Sequence, residues 1–140
     1  MRNWPLWTAA LWWGSLSTLG FGVVPLLFVH LPSAAVAGTM AAHLFEAQTV
    51  LSLALGLALL LAAVARRGDV LLPRGASVLW FVAAAMALAL ASQWVVAPRI
   101  VAREDLRLWH ALGSAMYVGQ WLCAGLIFRA WLKPREQAQV

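Results

Sequence analysis

Four long stretches of the 140-residue chain carry apolar side chains almost without interruption, and they limit the possible folds more than any other feature. Each stretch reaches the ~20 residues that an α-helix needs to cross the hydrocarbon core of a bilayer. A membrane-spanning barrel would instead show short segments of alternating polarity. The sequence therefore predicts an all-α integral membrane protein, a four-helix bundle with spans at about residues 6–29, 46–65, 76–97 and 109–128.

The low charge content indicates that lipid surrounds most of the chain. Hydrophobic residues make up 64% of the sequence and charged residues only 11%, whereas soluble domains carry about 25% charged residues. Because the connections between the apolar stretches are short, we predict a single transmembrane domain over residues 1–140, with residues 129–140 as a short tail. The lipid bilayer is thus the first predicted partner.

The positions of Lys and Arg predict the orientation of the bundle. Four spans place both termini on one side of the membrane, and the side richer in basic residues is the cytoplasmic one. We therefore predict cytoplasmic N and C termini. The formal net charge of +5 does not indicate nucleic acid as a partner, because the basic residues lie between and after the apolar stretches. The terminal side carries Arg2, Arg66, Arg67, Arg74, Arg129, Lys133 and Arg135, and the opposite, outer side carries Arg99, Arg103 and Arg107.

Prolines predict where the helices bend or end. Pro25 lies inside the first span and should kink it, because its ring removes one helical hydrogen bond. Pro32 breaks the chain after the first span, at the start of a connection predicted for residues 30–45. Pro98 is predicted to end the third span.

Three histidines and one glutamate are the candidates for a site at the outer surface. His43 and Glu46 are three residues apart and share one face if their segment is helical. Imidazole binds copper, zinc and haem iron, and a carboxylate can complete or orient the ligand set, so these side chains form a hypothetical metal or cofactor site. The simpler interpretation places them in the headgroup layer, with Glu46 in a first helical turn that favours negative charge. The candidate metal ligands are His30, His43, Glu46 and His110, and the candidate cofactor ligands are His110 and His43.

Further polar side chains lie deeper in the spans and predict a polar cavity that opens at the outer surface. Polar groups inside a membrane face the bundle interior or water, because facing lipid is costly. Interhelical hydrogen bonds are the alternative interpretation, especially for the glutamines. The predicted cavity residues are Thr49, Gln93, Ser114, Tyr117 and Gln120.

The connection before the fourth span is basic. Arg99, Arg103 and Arg107 recur at intervals of four residues, so they would form one stripe if the segment were helical. Such a stripe at the membrane surface suits the phosphates of lipid headgroups, and this interpretation is favoured over a substrate-binding role.

Several short motifs are typical of one family. They are LWWG (11–14), VVPLLF (23–28), LF (44–45), APR (97–99) and LWH (108–110), within the blocks Leu11–Phe45 and Val95–Leu126. In these the chain resembles the bacterial four-helix membrane proteins of the domain of unknown function 4149 family, which is similar to eukaryotic transmembrane protein 205.

The resemblance implies a multi-pass protein of the bacterial inner membrane with no established biochemical activity. The family also looks distantly similar to copper-resistance-D-like proteins and to a haem-binding protoporphyrinogen oxidase family, which implies His110 as a candidate ligand. His43 and Glu46 depart from the family pattern, in which an arginine- or proline-like residue is commoner after Leu-Phe.

Three functions stay open at this point. The first is a structural or accessory subunit of a larger membrane assembly, which makes other membrane subunits or further copies of the chain the expected partners. The second is a haem- or copper/zinc-binding membrane protein. The third is a small-solute or proton transporter that works as a homo-oligomer. The accessory role is favoured over an enzyme, because the sequence shows no nucleophile–base pair and no paired carboxylates.

Overall fold

The computed structural model describes residues 3–65 and 75–132, and within them every regular element is helical. The first helix is Trp4–His30, the second is Ala34–Ala65, the third covers residues 75–101 and the fourth is Leu106–Leu132. All four are long and apolar enough to cross a membrane, so the predicted all-α fold with four candidate spans is confirmed. The predicted connection at residues 66–74 and the part of the tail beyond residue 132 lie outside the described residues.

The second helix begins 12 residues earlier than the span predicted for residues 46–65, because its first residue is Ala34. Only residues 31–33 separate it from the first helix. The hydroxyl Oγ of Ser33 accepts a hydrogen bond from the backbone N–H of Val36 at 3.2 Å, which caps the new helix. The alanine-rich start then favours the helical conformation. Residues 34–45, predicted as part of the connection between the first two spans, are therefore helical.

Pro25 and Pro98 lie inside long helices, and each follows a π-helical turn. The segment Leu19–Val23 is π-helical immediately before Pro25, and Ser92–Val96 is π-helical before Pro98. Each proline then occupies the first turn of a short α-helical piece, where a missing N–H leaves no hydrogen bond unmade. The wider turn relieves the clash that a proline ring makes in a regular helix. The third helix therefore continues through Pro98 to Val101 instead of ending there.

The four helices pack in a ring in which consecutive helices are neighbours and the first helix also packs against the fourth. The first and fourth helices are antiparallel, because Gly20 contacts Tyr117 whereas Gly125 contacts Trp13. The turns at residues 31–33 and 102–105 consequently lie at the same end of the bundle, which we call the short-turn end.

The core between the helices alternates large and small side chains. Large residues such as Trp12 and Ile127 are completely buried and interlock with alanines from the neighbouring helices. Small residues let helix backbones approach closely, which supplies the van der Waals contact that holds membrane helices together. The core residues are Ala9, Trp12, Leu16, Leu59, Val82, Ala85, Ala124 and Ile127.

Candidate functional site

A hydrogen-bonded polar cluster lies inside the bundle, halfway along the helices. The amide Nε2 of Gln120 donates to Oγ of Ser52 at 2.9 Å. Nε2 of Gln48 donates to Oγ of Ser15 at 3.1 Å and to Oγ of Ser52 at 3.3 Å. Ser52, Gln120 and Gln48 are 0%, 4% and 7% exposed. The cluster thus joins the first helix to the second, and the second to the fourth across the diagonal of the bundle.

Two further hydrogen bonds tie the fourth helix to the first at the same level. The hydroxyl of Tyr117 donates to the backbone carbonyl of Leu16 at 2.8 Å. The indole Nε1 of Trp121 donates to Oγ of Ser17 at 2.8 Å, and that hydroxyl in turn donates to the backbone carbonyl of Trp13 at 2.8 Å. Polar groups in hydrocarbon need such partners, because no water is present to bond them. These bonds therefore fix the register of the two helices.

The residues predicted to line a cavity have different surroundings in the structure. Tyr117 and Gln120 face the interior as predicted, but they bond to neighbouring helices. Thr49 donates to the backbone carbonyl of Phe45 on its own helix at 2.9 Å. Gln93 is half-buried on the third helix, and Ser114 is exposed. The bond made by Gln120 matches the alternative interpretation made from the sequence, interhelical hydrogen bonding.

Ser15, Gln48 and Ser52 are members of the cluster that sequence reasoning missed. Two of them were detectable in the sequence, because Gln48 and Ser52 are four residues apart and therefore share one face of the second helix. The Oγ of Ser15 also donates to the backbone carbonyl of Trp12 on its own helix at 2.9 Å, as serines in helices commonly do. Its second role, as an acceptor for Gln48, depends on which helices are neighbours.

Replacing Ser52 by alanine is expected to lower the free energy of unfolding by about 1–2 kcal/mol. The substitution removes the acceptor shared by Gln48 and Gln120 and leaves the Gln120 amide buried without this partner. The measurement is SDS-induced unfolding in mixed micelles, followed by tryptophan fluorescence. Ser114→Ala, at an exposed position of the fourth helix, is the matched control and should leave the midpoint unchanged. Equal midpoints for the two variants would contradict the role of Ser52.

The four candidate metal ligands are spread along the bundle. His30 is exposed at the short-turn end, with its ring Nδ1 3.0 Å from the backbone carbonyl of Leu26. His110 is exposed in the second turn of the fourth helix. His43 and Glu46 share a face farther along the second helix. Within residues 3–65 and 75–132, the structure brings no three His, Cys, Asp or Glu side chains together as a metal site.

His43 and Glu46 form a contact pair on the outward face of the second helix. Nδ1 of His43 is 3.9 Å from Oε2 of Glu46, and their side chains are 72% and 62% exposed. The sequence placed Glu46 in the first turn of a span, but it is the thirteenth residue of a helix that begins at Ala34. At 1.5 Å per residue, Glu46 lies about 18 Å from the start of that helix. The pair is therefore not at the helix terminus where it was predicted.

The three arginines do not form a helical stripe, because the helix ends at Val101 and residues 102–105 turn the chain. Arg103 has the left-handed φ of 56° within this turn. The guanidinium of Arg99 lies 4.4 Å from the ring centroid of Trp109, and its Nε is 3.9 Å from Oε2 of Glu104. Asp105 caps the fourth helix, since its Oδ1 accepts from the N–H of Leu108 at 3.2 Å. The cluster of charges marks the short-turn end as polar.

Comparison with known proteins identifies a family. No curated protein and no solved structure matches the chain significantly. The profile of one family, described as Domain of unknown function (DUF4149), matches residues 7–108, which include most of the first helix, the second and third helices and the turn to the fourth. The resemblance found in the sequence motifs is thereby confirmed. The chain belongs to the DUF4149 family, as a small multi-pass membrane protein with four candidate spans.

Proposed function

We propose that the protein is an accessory subunit of a larger assembly in the bacterial inner membrane, with both termini in the cytoplasm. The observation that carries the proposal is the His43–Glu46 pair, which is exposed on the outside of the isolated chain within the second candidate span. Ionisable side chains within a span face protein or water, because facing lipid is costly. A protein partner that covers this face removes that cost.

The depth of the pair follows from a hydrogen bond between helices. Gln48 bonds to Ser15, which lies close to the middle of the first helix, Trp4–His30. Glu46 is two residues from Gln48 on the second helix, a displacement of about 3 Å along the axis. The first helix is 27 residues long, or about 40 Å, against a hydrocarbon thickness of about 30 Å. With the first helix along the membrane normal and the hydrocarbon within its length, Glu46 therefore lies in hydrocarbon.

The orientation of the second helix keeps the His43–Glu46 pair on the outside of the bundle. Glu46 and Gln48 are two residues apart, so they point to opposite sides of the helix. Gln48 is held in the interior by Ser15 and Ser52. Rotating Glu46 into the bundle would break those hydrogen bonds and expose Gln48 to lipid. The interior polar cluster thus supports an outward pair that needs an external partner.

The proposed orientation gives the short-turn end a role at the outer membrane surface. Arg103 and Arg107 are exposed there, and Arg99 lies over Trp109. Lipid phosphates are suitable partners for these guanidinium groups, and the tryptophan ring suits the interface. Support for cytoplasmic termini comes from the larger number of basic residues on the terminal side.

The proposal is tested by the polypeptide composition of the particle extracted from the native membrane. The tagged full-length chain is extracted with its surrounding lipid by a nanodisc-forming polymer, and the particle is analysed by mass spectrometry and cross-linking. We expect at least one further polypeptide in fixed ratio with the 15.2 kDa chain. A particle that contains one copy of the chain and lipid alone would contradict an accessory role.

The same preparation tests the histidine-site alternative, which the exposed positions of His43 and His110 keep open. A bound haem would give a visible absorption band, and copper or zinc would appear in metal analysis of the particle. Loss of that signal in His110→Ala, with particle composition unchanged, would favour a ligand site over the accessory role.

A further inference from the structure

We propose that the outward face of the second helix binds a second copy of this chain, with the His43–Glu46 pairs of the two copies bonding reciprocally inside the membrane. The two copies are related by a twofold axis along the membrane normal. The inference rests on the proposed function, because it names the partner that covers the charged pair. The pair itself is the contact between His43 Nδ1 and Glu46 Oε2 on the second helix.

The pair is self-complementary, which is the property that a twofold interface requires. In such an interface residue i contacts residue j of the other copy, and residue j contacts residue i in return. His43 supplies an N–H donor, and Glu46 supplies a carboxyl oxygen as acceptor. Their separation of one helical turn lets His43 of each copy reach Glu46 of the other when two parallel helices cross. Each glutamate then exchanges lipid for a charge-assisted hydrogen bond.

The rest of the face fits a second helix. Exposed positions recur every three or four residues on both sides of the pair, as they do along one side of a helix. Alanines beside the pair allow close approach of two backbones, and apolar residues toward the terminal end add contact area. The hydroxyl of Thr39 is already bonded to the backbone carbonyl of Ala35 at 3.0 Å and needs no partner. The face comprises Thr39, His43, Glu46, Val50, Ala54 and Leu57.

The opposite side of the bundle has the chemistry expected of a lipid-facing surface. The fourth helix lies diagonally across from the second, and its exposed residues at the same depth include Val118, Leu122 and Leu126. These side chains are apolar and match hydrocarbon directly. The contrast between the two faces locates the interface on the second helix.

Disulfide cross-linking in lipid vesicles tests the interface. In a chain whose native Cys123 is replaced by alanine, Val50→Cys and Ala54→Cys place single thiols on the proposed face. A twofold axis beside the second helix brings the two copies of each thiol together, so oxidation should yield covalent dimers. Leu122→Cys, at similar depth on the fourth helix, is the matched control and should yield few. Dimer yields at positions 50 and 54 no higher than at position 122 would overturn the proposal.

Variants of the pair test its role within the Val50→Cys background. We expect Glu46→Ala to weaken self-association about tenfold, because a twofold dimer loses two interhelical polar contacts at once. His43→Glu should weaken it as well, since it places four carboxylates together. Combining His43→Glu with Glu46→His exchanges the two groups and should restore cross-linking, because the reciprocal contacts are the same after exchange. Unchanged yields in the two single variants would refute the pairing.

The outcome is separable from that of the proposed function. A native particle with a different polypeptide, together with no cross-linking through position 50, would refute the second copy and leave the accessory role standing. A particle with two copies and no other protein would support the second copy and contradict the accessory role. A particle with one copy and no other protein would refute both.

Discussion

The substitution Trp12→Ala is expected to lower the free energy of unfolding by about 3 kcal/mol, among the largest effects of any single replacement in this chain. Trp12 is completely buried at the centre of the core. Removing its indole leaves a cavity whose lining loses van der Waals contacts. We place the effect at the low end of the range for tryptophan truncation, because the unfolded reference in a membrane exposes the side chain to lipid and not to water.

Trp12→Phe is the matched control for this prediction. Its smaller ring refills much of the cavity, and it also removes the indole Nε1, which has no hydrogen-bond partner within the described residues. Eliminating an unsatisfied buried donor offsets part of the lost packing. SDS titration of both variants in mixed micelles should therefore place Trp12→Phe much closer to the wild type. Similar midpoints for the alanine and phenylalanine variants would contradict packing as the cause.

The substitution Gly20→Ala is expected to lower the free energy of unfolding by about 2–3 kcal/mol. A Cβ at Gly20 would clash with the aromatic Cε1 of Tyr117, and overpacking of this kind costs about 1–3 kcal/mol. Moving the ring also disrupts the 2.8 Å hydrogen bond from the Tyr117 hydroxyl to Leu16, which contributes about 1 kcal/mol. The readout is again the midpoint of SDS-induced unfolding.

Gly22→Ala controls for the change of glycine to alanine within the same π-helical segment. A Cβ at Gly22 meets no atom within 4 Å, so this variant should be as stable as the wild type. Repeating Gly20→Ala in a Tyr117→Ala background should abolish most of its effect, because the clashing ring is gone. If Gly20→Ala proves as stable as Gly22→Ala, the first and fourth helices do not approach as closely as the contact between Gly20 and Tyr117 requires.

The helices were predictable because their cause is local. Continuous apolar stretches of spanning length determine four helices whatever their neighbours are, and all four are present. The helix ends were less predictable. Residues 34–45 are rich in small side chains and were assigned to a connection, but Ser33 caps a helix that begins at Ala34. The effect of Pro98 was misjudged for a related reason. A proline ends a regular helix, but a π-helical turn before it lets the third helix continue.

For the polar residues, the sequence predicted which side chains face the interior but not which partners they bind. Gln120 and Tyr117 were predicted to face the interior because facing lipid is costly, and the structure places both against other helices. Their actual partners, Ser52 and the carbonyl of Leu16, could not be named, because the pairing depends on which helices are adjacent and in what register. The metal hypothesis rested on a common level for residues 30, 43, 46 and 110, and that level shifted when the second helix proved longer.

The sequence alone determined that this protein consists of four lipid-facing helices, because the hydrophobic demand of a bilayer acts on each segment separately. It also determined the family, through short motifs along the chain. Only the tertiary structure decided where His43 and Glu46 lie along the bundle. Their position relative to the other helices depends on the register between helices, which the hydrogen bond from Gln48 to Ser15 establishes and no single segment encodes.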